Sequence, residues 1–361
     1  ESLKIGRSGI VFDQERKDFG YRSGLVGLVP RPELKSMLDR RARIMLPEEG
    51  EYAYIAALEA FKQAKVSDDI IQKYQCGIIF GNDSTVKPVY DSINLVKEKK
   101  DTTLLGSGAI FQSMNSTVNM NLSTIFSLKG VNFTLSAACA SGSHSIGIGY
   151  LLLKQGLQQM ILCGGAQEVN IYAFASFDGL GTFSIREDNP TMASRPFDKD
   201  RDGLIPAGGA AALVLETLDC AKARGANILA EVIGYGFSSN GEHISGSSKE
   251  GQVRSLKMAL DQAELDAKAI DYVIKPPVIK EAPKKTFYGQ VDIDPVLAKK
   301  QFADLIDEVI VNFSSSSSIK VKLTIDIQAE SITDEGFDES LQRAIKENCR
   351  VLKFKSSEFE E

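Results

Sequence analysis

Histidine is almost missing from this chain: its 361 residues hold two, His144 and His243, beside five cysteines, Cys76, Cys139, Cys163, Cys220 and Cys349, that form no C-x-x-C pair. The common zinc sites need three or four closely spaced Cys and His ligands, so this scarcity excludes them. An odd number of widely spaced cysteines also excludes a disulfide scaffold, and reduced thiols in a cytoplasmic protein are expected. No apolar run approaches the roughly 20 residues of a membrane span, and the opening "ESLKIGRSGI" lacks the apolar core of a secretory signal. No Walker or dinucleotide glycine fingerprint stands in a strand-to-helix context. A net charge of −6 argues against whole-surface attraction to nucleic acid, so neither nucleic acid nor membrane is an expected partner. "DKDRDG", Asp198 to Gly203, imitates the first half of a calcium loop, but Gly209 stands where the bidentate glutamate should be, and no metal is expected. A first residue Glu1 in place of Met reads as a fragment or a processed chain.

The length calls for two domains. Texture changes at "DYVIKPPVIKEAPKK", where Pro276, Pro277 and Pro283 stand among lysines and deny both helix and central strand. Before it, "CGIIFGN" and "QMILCGGA" are short apolar runs closed by glycine, as strands buried on both faces should be. Helical faces are expected at Tyr54, Leu58 and Phe61, at Ile146, Tyr150 and Leu153, and at Val253, Leu256 and Leu260. After it, Phe287 to Ile293 alternate, and Asp294-Pro295 caps a helix carrying Phe302, Leu305, Ile306, Val309 and Phe313. Ile319 to Ile327 alternate strictly, a helix carries Leu341, Ala344 and Ile345, and a last strand is expected near "VLKF".

Cys139 follows a predicted strand, "VNFTLS", and precedes a helix predicted from about Ser141. The small residues of "SAACASGS" suit a tight turn that presents one side chain at its apex, and the helix N-terminus favours negative charge there. Two readings stand on this pattern: an activated nucleophile, or a small cysteine in a core turn. His144, about 500° round the helix from Cys139, reads as a packing or hydrogen-bonding histidine, and His243 as a loop residue.

"GRSGI", "GVNFTLSAACASGSH", "LCGGAQEVN", "FDGLGTFSIREDNPTMASRPFDKDRDGLIPAGGAAALVLE" and "RGANILAEVIGYGFSSNGEH" resemble the β-ketoacyl-acyl-carrier-protein synthases, condensing enzymes on the thiolase fold, from about Leu3 to Val273. The resemblance implies that Cys139 is catalytic, taking the acyl group of a carrier-protein thioester before a malonyl-derived carbanion attacks it. It implies Met114 and Phe177 in the acyl pocket, where plain core is the other reading, and Arg40, Arg41 and Arg43 as docking points for an acidic acyl carrier protein, where a solvated arginine face is the other. No cofactor of its own is expected, since 4'-phosphopantetheine arrives on the carrier, and a homodimer is expected.

The family's two histidine loops, with their lysine, and its second oxyanion donor belong beyond Val273, and this chain does not carry them there. One lost oxyanion donor costs about 10²–10³ in rate and lost acid and base groups about 10²–10⁴ more, so condensation by this chain alone is not expected. The expected fold is an incomplete thiolase-like layered α/β domain over 1–273, without its first strand and second half, then a Pro/Lys linker over 274–285 and a small α+β unit of β-α-β-α-β order over 286–361. The missing members should leave apolar faces and strand edges exposed. From about Lys285, "VKLTIDIQAE" and "AIKENCRVLKFKSSEFEE" resemble the C-terminal end of a family of bacterial predicted ATPases. Two other functions stay open: a noncatalytic carrier- or partner-binding module, and an interaction protein governed by this tail.

Overall fold

Sixteen of the strands and helices lie before residue 224 in the structure, a computed structural model that describes residues 2, 5–242, 245–270, 298–311 and 337–353. In chain order they are β1 (Ile10–Phe12), α1 (Gln14–Phe19), β2 (Leu25–Gly27), α2 (Arg40–Arg43), α3 (Glu48–Ala64), α4 (Asp68–Lys73), β3 (Gly77–Gly81) and α5 (Lys87–Lys99). Then come α6 (Ala109–Gln112), α7 (Thr117–Ile125), β4 (Asn132–Leu135), α8 (Ser141–Lys154), β5 (Met160–Gln167), α9 (Ala175–Gly179), β6 (Gly209–Glu216) and α10 (Leu218–Ala223). A further helix, α11 (Lys249–Ala263), follows them. The chain divides into two units, Glu1–Pro277 and Val278–Glu361.

The first unit is built on a four-stranded sheet in the order β4-β3-β5-β6, with β3 parallel to both neighbours and β6 antiparallel to β5. Every residue of β3 is buried, as its unbroken apolar run requires. Ile78, Phe80, Met160 and Leu162 face one side, against Ala53, Tyr54, Ala57 and Phe61 of α3 and Val118 and Leu122 of α7. Ile79, Ile161 and Cys163 face the other, where α8 covers them with Ile146 and Leu153. Helices on both faces of one sheet are the layered α/β arrangement expected. β1 and β2 form a separate antiparallel pair.

The helix expected around Val253, Leu256 and Leu260 is α11, and Val253 and Leu256 on it are exposed. α11 packs through a neighbouring face: a Cβ on Gly234 or Gly236 would lie 2.2 Å from the Ala259 carbonyl oxygen or 1.8 Å from that of Ser255. Backbone-to-backbone contact this close selects the small residues of a helix, not its leucines. In the second unit, α12 (Ala298–Leu305) runs into a π turn at Ile306–Ile310, and α13 (Glu339–Val351) starts at an Asp338 cap whose carboxylate accepts from Leu341 N. "VLKF" does not begin a strand: Val351 ends α13, and Leu352 and Lys353 close it, Lys353 in the left-handed region at φ 57°. The strands expected over Phe287–Ile293 and Ile319–Ile327 lie outside the described residues.

Candidate active site

The parallel strands β3 and β4 end side by side, and the loops that follow them build one turn around Cys139. Carboxyl ends of parallel strands are where α/β sheets place their sites. Ala138 has φ +47°, a left-handed backbone, so the chain doubles back and Cys139 stands exposed just ahead of α8. Ser141 closes the turn, its hydroxyl donating to Ala138 O at 2.6 Å and accepting from Ala137 N at 2.8 Å. No side chain caps α8, so its N-terminal N–H groups and dipole are directed at the turn that carries the thiol.

Glycine seats this helix on the sheet. A Cβ on Gly81 would lie 2.3 Å from the Ser141 carbonyl carbon, and one on Gly165 would lie 3.2 Å from the Gly142 Cα. Gly81→Ala is therefore expected to push the start of α8 off β3, lowering stability by about 1–3 kcal/mol and slowing thiol reaction at Cys139; a melt and an alkylation time course measure both.

The other thiols of the first unit are set apart. Burial pushes Cys76 up to about 12 and Cys220 up to about 11, and it raises Cys163 as well. Cys349, on α13, is partly buried. His144 Nδ1 pairs with the Tyr235 hydroxyl and their rings meet edge to face, which ties α8 to the segment after α10. The hydrogen-bonding role read for His144 is thus its role here; His243 lies outside the described residues.

Met114 and Phe177 are 38% and 45% exposed, and Phe177 stacks on Phe183 at a centroid distance of 6.4 Å. Arg40, Arg41 and Arg43 form α2, whose N-terminus Asp39 caps by accepting from Ala42 N at 2.8 Å. Arg40 and Arg41 are exposed, while Arg43 Nε reaches Leu38 O at 3.2 Å. A cavity of about 570 Å³ opens beside α2, walled by Arg31, Arg40, Glu48, Lys87, Gln112 and Glu168 among others; Cys139, Met114 and Phe177 are not in its wall. Among the described residues no three His, Cys, Asp or Glu gather as a metal site. Asp202 of the calcium-like loop serves as a local brace, accepting from the Ser184 hydroxyl at 2.7 Å and pairing with Arg186.

Two groups escaped the sequence reading. Asp83, in the loop after β3, accepts from Ser136 Oγ at 2.9 Å and from Ala138 N at 3.1 Å. Glu48, Glu49 and Glu168 form a buried carboxylate cluster: Glu48 accepts from Val169 N at 3.0 Å, Glu49 from Thr85 Oγ1 at 2.7 Å, and Glu168 from Val86 N and Lys87 N at the start of α5. Glu49 Oε2 has no partner, and burial, with Glu168 and Glu48 adding repulsion, pushes its carboxyl up to about 7.

Residues 30–221 match the family model described as beta-ketoacyl synthase, N-terminal domain. The chain is 33% identical over 274 residues to 3-oxoacyl-[acyl-carrier-protein] synthase 1 of Haemophilus influenzae, covering 75% of this chain and 66% of that protein. A crystal structure of a beta-ketoacyl synthase from Burkholderia phymatum STM815 superposes with a TM-score of 0.69 at 34% identity, covering 74% of this chain and 66% of that one. A type II polyketide ketosynthase in complex with its acyl-carrier protein shares the fold at a TM-score of 0.63 and 24% identity, over 73% of this chain and 64% of that one. The chain thus spans about two thirds of the length of these relatives.

Proposed function

The chain belongs to the beta-ketoacyl synthase family, and from that premise we propose that Cys139 accepts an acyl group from an acyl-carrier thioester, the first half of the decarboxylative condensation of fatty-acid synthesis. The observation that carries the reading is the exposed thiol at a left-handed turn before an uncapped helix N-terminus. The Cys139 sulfur attacks the thioester carbonyl, the carrier's pantetheine thiol leaves with the proton, and an acyl-Cys139 thioester remains. In the second half, malonyl-carrier protein loses carbon dioxide and its carbanion attacks that thioester. Met114 and Phe177 would line the acyl chain. The outer edge of β4, with no partner strand among the described residues and with Phe133 38% exposed, is the surface a homodimer would cover, and a cytoplasmic setting belongs to the same reading.

The carrier would dock on α2. Its cations are presented by a helix too short to serve as core, and an acidic carrier surface complements them. Reversing all three charges, Arg40→Glu, Arg41→Glu and Arg43→Glu, is expected to cut acyl transfer from the carrier by about tenfold or more and to leave transfer from a small acyl thioester unchanged. Equal loss with both donors would remove α2 from the docking surface. The deciding experiment mixes the full chain with acyl-loaded carrier and weighs the peptide that contains Cys139. An acyl mass on that peptide supports the reading; carrier binding without it supports a noncatalytic binding module instead.

A further inference from the structure

We propose that Asp83 is the positioning residue for Cys139: its carboxylate, delivered by the loop after β3, holds Ala138 in the left-handed backbone that presents the thiol. The inference rests on Cys139 as the reactive group of the site. A residue with a Cβ avoids the left-handed region, and one at φ +47° persists only where its surroundings fix it. Ser141 ties Ala137 N and Ala138 O from the C-terminal side, as the first residue of α8. Asp83 comes from a different element. Its Oδ1 accepts from Ala138 N at 3.1 Å and from Ser136 Oγ at 2.9 Å, so one oxygen grips the turn on both sides of Ala137.

Asp83 is itself held. Asn115 Nδ2 donates to Asp83 O at 2.8 Å, Asn82 N to Leu135 O at 3.1 Å, and Asn82 Nδ2 to Asn115 O at 2.9 Å. Asn82, Asp83 and Asn115 therefore strap the ends of β3 and β4 together and transmit the position of the sheet to the turn. Both contacts to the turn use Asp83 as a hydrogen-bond acceptor, so the property that matters is its Oδ1 oxygen. An asparagine at this position keeps that oxygen.

The test is alkylation of the native full chain by iodoacetamide at fixed pH, read by mass on the Cys139 peptide. Asp83→Ala should slow Cys139 by about tenfold with Cys349 unchanged, and Asp83→Asn should stay within about twofold of the native rate. Ala138→Gly, added to Asp83→Ala, should restore most of the rate, because glycine holds a positive φ without help. Native speed in Asp83→Ala, slowing in Asp83→Asn equal to that in Asp83→Ala, or no recovery with Ala138→Gly each overturns the proposal. Buried Cys76, Cys163 and Cys220 stay unlabelled in a folded variant. If Asp83→Ala exposes them, Asp83→Ser, whose hydroxyl stops short of Ala138, carries the same comparison. A Cys139 that follows this pattern but accepts no acyl group overturns the proposed function alone; an acylated Cys139 indifferent to position 83 overturns this inference alone.

Discussion

Cys139→Ser is expected to abolish acyl transfer from the carrier, by a factor on the order of 10³ or more, while leaving carrier binding and the fold intact. The two side chains are nearly the same size and the position is exposed, so packing has little at stake. The chemistry has much more. A thiol near neutral pH supplies some thiolate without assistance, whereas a serine hydroxyl needs a base to take its proton. The described histidine nearest in sequence, His144, is paired through Nδ1 with Tyr235 and sits in the fourth position of α8, off the face of the turn. The same consideration sets the expected outcome for the native chain: acyl-Cys139 accumulates, and no β-ketoacyl product follows when malonyl-carrier protein is added. Mass of the Cys139 peptide and chromatography of the released acyl groups separate the two steps. A product peak from the purified chain would show that His144 or His243 serves the condensation.

Glu49→Gln is expected to stabilise the protein above neutral pH and to change little near pH 4. Burial raises this carboxyl from 4.5 to about 7, with Glu168 and Glu48 adding to the shift, so the folded state holds a proton that the unfolded state has released. A folded pKa above the unfolded one contributes stability that is complete below about pH 4.5 and lost as pH climbs through about 7. Glutamine keeps the shape and an acceptor for Thr85 but carries no proton to lose. Relative to the native chain it should gain up to about 3 kcal/mol at pH 8, or roughly 5 °C or more in melting temperature. Melts of both proteins from pH 4 to 9 give the difference curve. A flat difference would mean that the cluster is hydrated and Glu49 ionises as an exposed carboxylate does.

The sheet was legible where its strands are apolar on both faces. "CGIIFGN" and "QMILCGGA" are short apolar runs closed by glycine, the length and bounds of strands buried on both faces, and they became β3 and β5. β6, "GAAALVLE", carries little such signal: half its residues are glycine or alanine, and its place beside β5 is set by the antiparallel register across the sheet. The packed face of α11 was silent for a similar reason, since periodicity finds leucines but not the pair of glycines, Gly234 and Gly236, that lie against the Ala259 and Ser255 carbonyls. Within the site, Cys139 stood out because small residues crowd around it between a strand and a helix. Asp83 did not, because a single acceptor in a polar loop has no spacing to betray it; its meaning comes from a hydrogen bond spanning 55 residues of sequence. Glu48 and Glu49 in "PEEGE" carry no sign of burial, because acidic residues are ordinary in a first helical turn, and it is the segment Glu168 to Asn170 after β5, folding over them, that takes them out of water.

The glycines under α8 also act as a ratchet stop. Slide the helix one residue toward either end and a serine side chain, that of Ser141 or Ser143, arrives where Gly142 now faces Gly165, with Gly81 blocking the backbone beneath. Axial travel of α8 is thereby closed as a mode of motion. Room for an acyl chain at the thiol therefore has to come from the groups around Cys139, with α8 standing as a fixed post beneath them and not as a piston.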